Sequence, residues 1–201
     1  MKVLVACEES QAVCKAFREL GHEAYSNDVQ ECSGGHPEWH LQMDCFEAVK
    51  LKRWDLIIMH PPCTAMTVSG NSTYGEGKPK HQERLDAVSW TQKLWDLATS
   101  VCDMVALENP VGVMRRYGKF PKPQYVQPYE FGHMEQKKTG LYLHGLSNLK
   151  STNNVYDEMM KLPKRERERL HYLPPSEDRA KLRSKTYEGI ARAIAQQWGC
   201  L

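Results

Sequence analysis

The sequence predicts an α/β protein built on a doubly wound, mostly parallel sheet. Three observations carry this: strand-length runs of apolar residues, helical periodicity between them, and polar residues directly after each run. The first run is Val3-Leu4-Val5-Ala6. Ala12, Val13, Ala16, Phe17 and Leu20 follow at helical spacing up to Gly21, which stops the helix. A second strand runs from Glu23 to Tyr25 and ends at Asn27-Asp28. Beyond a loop holding glycines and histidines, Trp54 to Met59 forms a third strand, broken by Pro61-Pro62. Residues 82–101 are helical, because Ala87, Trp90, Leu94, Leu97 and Val101 recur at steps of three and four. Met104 to Leu107 is a strand ended by Asn109-Pro110. Gly140 to His144 is one more strand, and Tyr187 to Trp198 a closing helix. Strand, helix, strand occurs twice in this order, as parallel pairing through crossover helices requires.

The 201 residues are 41% hydrophobic and 26% charged, with five Trp and nine Tyr, which excludes a disordered or collagen-like chain and allows one domain with a core. No run reaches the roughly 18 to 20 apolar residues of a membrane helix. No secretory pattern follows Met1 either. The expectation is therefore a cytoplasmic protein without a membrane partner, with nothing cleaved before the first strand. Seven dispersed cysteines fit reduced thiols better than a disulfide framework. Cys32, His36, His40 and Cys45 are spaced like ligands but lack a C-x2-C element, so no metal is expected. Charge is uneven: residues 1–114 carry −6 and residues 115–201 carry +8. A basic half suits a polyanion such as nucleic acid, because neutralised phosphates release counterions. An unevenly charged, solvated surface is the other reading.

Open α/β sheets bind ligands beyond the carboxyl ends of their strands. Four such ends are legible: Cys7-Glu8-Glu9-Ser10, Asn27-Asp28, His60-Pro61-Pro62-Cys63 and Glu108-Asn109-Pro110. Asp28 lies about 20 residues past the first turn, where a carboxylate accepts hydrogen bonds from a ribose diol. The first turn is not G-x-G-x-x-G; its acids argue against a pyrophosphate and suit a nucleoside cofactor carrying a cationic group. Cys63 is the candidate nucleophile. Only about 3% of an ordinary thiol is ionised at pH 7, and basic neighbours would raise that fraction. Otherwise Cys63 is a small buried hydrophobe. Glu108, at the end of an apolar strand, is expected to be desolvated, with a raised pKa suited to proton donation; the alternative is a surface Glu capping a turn.

Three ordered motifs now bear on family. Pro61-Pro62-Cys63, Glu108-Asn109-Pro110, and Glu135-Gln136-Lys137-Lys138-Thr139 leading into Gly140-Leu141-Tyr142-Leu143 resemble those of the DNA cytosine-5 methyltransferases, in a short form often carried by phages. The resemblance covers most of residues 1–149 and again 184–199, where Lys185-Thr186-Tyr187-Glu188-Gly189-Ile190-Ala191 is similar to the helix motif that completes the cofactor pocket. It implies a Rossmann-like catalytic core over 1–149, a basic irregular segment over 150–183 in place of a target-recognition domain, and a C-terminal helix over 184–201 completing the core. It implies S-adenosylmethionine as cofactor and DNA as partner. The Cys63 thiolate would add to carbon 6 of cytosine, Glu108 would assist at N3, and Lys137 would stand beside them. A duplex base must be flipped out to reach such a site.

The same resemblance places Ala6, Cys7, Glu8, Glu9 and Ser10 at the methionine end of the cofactor, Asp28 at the ribose and Asp44 at the adenine, with Pro61 and Tyr187 completing the pocket. It assigns Pro62, Asn109, Pro110, Gln136, Lys138 and Thr139 to the substrate. Gln136-Lys137-Lys138 replaces a Gln-x-Arg-x-Arg pattern, exchanging bidentate contacts for point charges. Lys161, Lys164, Arg165, Arg167 and Arg169 are phosphate contacts or a solvated face. With so little chain between Leu149 and Ser184, specificity is short or relaxed, or comes from a second subunit (a homodimer) or a partner protein. Ser69 to His81, with three glycines, reads as a mobile lid over the target base or as a surface loop. Two other functions stay open: the same chemistry on a pyrimidine nucleotide or RNA, or a catalytically inactive DNA-binding protein on this fold.

Overall fold

Alternation inside the first strand decides the architecture. In the computed structural model, which describes residues 1–174, 176 and 179–200, β1 spans Lys2–Ala6, and Val3 to Ala6 are fully buried. Val3 and Val5 join one apolar layer, Leu4 and Ala6 the opposite one. A strand apolar on both faces has to be covered on both, the signature of a parallel sheet between helix layers.

The chain then runs through α1 (Ala12–Glu19), β2 (Glu23–Asp28), β3 (His40–Gln42), α2 (Cys45–Lys50), β4 (Leu56–Met59), α3 (Asn71–Tyr74) and α4 (His81–Val101). It continues through β5 (Val105–Pro110), α5 (Met114–Tyr117), β6 (Gln124–Val126), β7 (Thr139–His144), α6 (Tyr156–Met160), α7 (Lys164–Arg167), α8 (Arg179–Ser184) and α9 (Glu188–Trp198). Among the described residues the strands form one seven-stranded sheet in the order β3-β2-β1-β4-β5-β7-β6. All neighbours are parallel except β7, antiparallel to both β5 and β6. This is the doubly wound, Rossmann-like sheet expected, and strand order reverses between β1 and β4.

Helices α1 and α9 cover one face, where Phe17, Ile194 and Trp198 pack on Val3, Val5 and Ile58. Helices α2 and α4 cover the other, with Leu94, Trp95 and Val49 against Leu4, Ile57 and Leu107. None of the described helices is long and apolar enough to cross a membrane.

Several short elements went unread in the sequence, among them β3 and β6 with three residues each and α2 with six, too few for periodicity to register. The fifth strand also departs from expectation. It does not stop at Leu107 but runs on through Pro110, because β7 pairs with it from Val105↔His144 to Pro110↔Thr139. Glu108 therefore lies inside a strand, opposite Leu141.

The segment after Cys63 is held at several points. Arg84, on α4 and 2% exposed, donates from Nε to the carbonyl of Ala65 (2.7 Å), from Nη1 to Oδ1 of Asn71 (2.8 Å) and from Nη2 to the carbonyl of Thr67 (3.0 Å). Farther on, Glu76 accepts from Arg116 (2.7 Å) and from the Tyr117 hydroxyl (2.8 Å). Residues 150–174 are also tied to the core. Val155 N–H donates to the carbonyl of Tyr129 (2.8 Å), Gln136 N–H to the carbonyl of Arg167 (2.6 Å), and Met159 is fully buried.

Charge-assisted hydrogen bonds from a buried guanidinium cannot be replaced by an apolar side chain. Arg84→Leu should lower global stability by about 2–4 kcal/mol. It should also speed amide hydrogen exchange across residues 65–71 more than in β1 or β4, as read by mass spectrometry. Uniform exchange across the chain would show that Arg84 does not organise this segment.

Candidate active site

Strand tips β1, β4 and β5 end side by side, and the side chains just beyond them share one cavity of about 80 Å³. Cys7, Glu8, Glu9 and Ser10 line it from the β1–α1 turn, His60, Pro61 and Cys63 from the end of β4, and Glu108 and Pro110 from β5. Lys137 enters from the segment leading into β7, and Arg183 to Thr186 close the side.

The turn after β1 takes a glycine-like path without glycine. Cys7 and Gln11 have positive φ, 58° and 59°, a conformation that costs most residues strain. Gln11 is held by its own side chain, which donates to the carbonyl of His36 (2.8 Å) and accepts from His36 N–H (3.1 Å). Glu8 turns inward, and its carboxylate accepts from the N–H groups of Val13 (2.7 Å) and Cys14 (3.2 Å). It thereby caps the open N-terminus of α1, where a bound phosphate would otherwise sit. Burial pushes the Glu8 pKa up, against the pull of His60 and these two N–H groups.

At the centre, Nδ1 of His60 lies 3.3 Å from Oε2 of Glu108, with both side chains largely buried. Burial works to raise the Glu108 pKa, but the hydrogen bond from His60 and the charge of Lys137 outweigh it, and the carboxyl is held below its usual range. The expected raised pKa is thus corrected: desolvation is present, and two cations overcome it. His60 moves the other way. Burial opposes its charge, while the hydrogen bond to Glu108 and the charges of Glu108 and Glu8 prevail and raise it. The contact between them thus favours the imidazolium and the carboxylate.

Cys63 is half-buried in the same cavity, on a turn where its carbonyl accepts from Met66 N–H (2.9 Å) and Thr67 N–H (3.1 Å). Burial and the Glu108 charge push its thiol up, against Lys137 and Arg183. The increase in thiolate expected from basic neighbours is not realised, because desolvation is the larger effect.

Nine of the residues singled out in the sequence meet here: Cys7, Glu8, Glu9, Ser10, Pro61, Cys63, Glu108, Pro110 and Lys137. Others sit around it. Ala6 is a buried strand residue whose carbonyl accepts from His60 N–H (3.0 Å). Asp28 and Asp44 stand at the ends of β2 and β3, and both charges act on the Cys7 thiol. Asp44 Oδ1 also caps α2 through Phe46 N–H (2.8 Å). Tyr187 lines an adjoining cavity of about 460 Å³ that shares Ser10, Lys185 and Thr186 with the first, and its hydroxyl donates to Oε2 of Glu135 (2.8 Å).

Of the substrate candidates, Pro62 is exposed and Asn109 fully buried. Lys138 stacks its ammonium 4.6 Å from the centre of the Tyr125 ring, and Thr139 Oγ1 donates to the Lys137 carbonyl (3.1 Å). Gln136 is held by its backbone to Arg167. In the basic run, Arg169 pairs with Glu135 at 2.8 Å, whereas Lys161, Lys164 and Arg165 are exposed. His60 and Arg183 were missed as site residues. The signal for His60 was its place one residue before Pro61; for Arg183, no periodicity places an irregular segment over a cavity.

The acidic turn fits a cationic nucleoside better than a dinucleotide. The Glu8 carboxyl already takes up the N–H groups of Val13 and Cys14 at the α1 N-terminus, which closes that end to a pyrophosphate. Asp28 and Asp44 leave carboxylates at the neighbouring strand ends.

No family model and no curated protein matches the chain. Among solved structures it is similar to a protein of an E. coli prophage described as a DNA modification methyltransferase, with 13% identity, a TM-score of 0.46, and coverage of 82% of this chain and 56% of that one. It is also similar to the Entamoeba histolytica methyltransferase EhMeth, with 10% identity, a TM-score of 0.49, and coverage of 77% of this chain and 57% of that one. The chain therefore spans little more than half the length of either.

Proposed function

We propose that this protein transfers a methyl group from S-adenosylmethionine to carbon 5 of cytosine in DNA. The observation that carries the reading is the meeting of Cys63, Glu108 and Lys137 in one cavity, from the tips of β4 and β5 and the approach to β7. Carbon 5 of cytosine is a weak nucleophile, and covalent addition at carbon 6 is the way to activate it. The Cys63 thiolate forms the sulfur–carbon bond while Glu108 assists at N3 and Lys137 offsets the charge. Bound at the β1–α1 turn, the cofactor supplies an electrophilic methyl group. Cys7 to Ser10, Asp28, Asp44 and Pro61 orient it. Transfer of the carbon-5 proton to solvent water, return of the N3 proton to Glu108 and expulsion of Cys63 as thiolate restore the aromatic ring.

DNA as substrate draws support from the basic C-terminal half and from exposed Lys161, Lys164 and Arg165, which are free to meet phosphates. A second reading, a pyrimidine nucleotide or RNA as substrate, is favoured by the short, core-bound elements α6 and α7 where a recognition domain would stand.

A duplex carrying 5-fluorocytosine should trap a denaturation-resistant adduct with the wild-type chain and the cofactor, and Cys63→Ala should abolish it. Failure of the wild-type chain to form an adduct on DNA, RNA or deoxycytidine monophosphate would reject covalent methyl transfer. An adduct on RNA alone would move the substrate. Because the Cys63 thiol lies above its ordinary value, its alkylation by iodoacetamide should keep rising past pH 9. Lys137→Met, which removes a charge that favours the thiolate, should slow it at pH 8 by about three- to tenfold, read site by site by mass spectrometry. An unchanged rate would place Lys137 outside the electrostatics of Cys63.

A further inference from the structure

Under the reading above, Glu108 must present a proton to N3, because N3 of cytosine is an acceptor. The resting carboxylate has no proton to present. A donor is in place: Nδ1 of His60 lies 3.3 Å from Oε2 of Glu108. The other ring nitrogen, Nε2, is buried and has no hydrogen-bond partner among the described residues. An imidazole committed to structure alone would be expected to use both nitrogens, as His40 does with Ser26 (2.8 Å) and the Gln30 carbonyl (2.9 Å). The ring of His60 is instead held at Nδ1 by Glu108 from β5, and the charges of Glu108 and Glu8 favour its protonated form against that of Lys137.

We propose that His60 is the proton reservoir of Glu108: its Nδ1 proton passes to Oε2 when the cytosine ring is protonated at N3, and returns when Cys63 leaves. The inference rests on the cytosine reading. The balance is simple. The Nδ1–H bond breaks and the Oε2–H bond forms, turning imidazolium and carboxylate into imidazole and carboxylic acid. The Cys63 electron pair forms the bond to carbon 6 while the carboxylic acid gives its proton to N3. Elimination of Cys63 reverses both transfers. His60 touches Glu108 and not the base, so it is a positioning residue that acts through the carboxylate.

Two measurements on the full-length chain test this. The first needs no activity: the His60 imidazole, followed by NMR, should titrate above the ordinary value of about 6.5 in the wild-type chain and about one unit or more lower in Glu108→Gln. Identical titrations overturn the proposal. The second compares kcat with pH. In the wild-type chain, thiolate gained above the His60 pKa is offset by imidazolium lost, so the rate levels off. In His60→Asn, whose amide can keep the hydrogen bond but cannot give up a proton, kcat should fall about 100-fold near pH 7 with KM for DNA little changed. Below the His60 value, where the wild-type rate climbs about tenfold per pH unit, kcat of His60→Asn should instead stay flat, because the thiolate gained is offset by the protonated Glu108 lost. Superimposable profiles, or recovery of wild-type kcat by His60→Asn, overturn it. Absence of any adduct with the wild-type chain would remove the methyl-transfer reading, and the imidazole titration would still decide the link between His60 and Glu108.

Discussion

A carboxylate cannot lie at the end of an apolar sheet without a partner, and this constraint organises the site. Two carboxylates are in that position. Glu8 is stabilised by the N–H groups of Val13 and Cys14 at the start of α1, and Glu108 by His60 and Lys137. An ionised group left alone there would take up a proton instead. The partners decide which form each group adopts. They pull the Glu108 pKa down and the His60 pKa up, while burial pushes the Cys63 thiol up.

The sheet explains why these groups meet. Strand order reverses between β1 and β4, so the turns leaving the two strands diverge and open a crevice above them. His60 and Cys63 stand on one lip and Cys7 to Ser10 on the other. Antiparallel β7 adds what parallel strands could not. Because it runs against β5, its N-terminal end meets the C-terminal end of β5, and the residues just before Thr139 arrive beside Glu108. Lys137 reaches the cavity for that reason.

Rigidity behind Cys63 comes from outside the motifs. Arg84 is on α4, 21 residues after Cys63, and its three hydrogen bonds fix the path from Ala65 to Asn71. Nothing in the local sequence around Arg84 marks it as buried; an amphipathic helix normally turns arginine to solvent. The glycines at 70, 75 and 77 favour a loop, and the tertiary contacts decide that it is a tethered one.

Hydrophobic pattern and motif order were enough to read the strands β1, β2, β4 and β5, the helices α1 and α4, and the meeting of Cys63 and Glu108 at the strand ends. Those features depend on periodicity and on residues adjacent in the chain. Protonation states were not legible, because they depend on charges brought together across the sheet: His60 from β4, Glu108 from β5, and Lys137 from the approach to β7. Desolvation of Glu108 could be read from Met104-Val105-Ala106-Leu107. The reversal of its effect could not, since it requires two cations separated from Glu108 by 48 and 29 positions. Sequence by itself determined which side chains gather at the strand tips, because burial of apolar runs dictates the sheet. Only the tertiary structure decided which of them hold protons, because that balance is set by distance and burial.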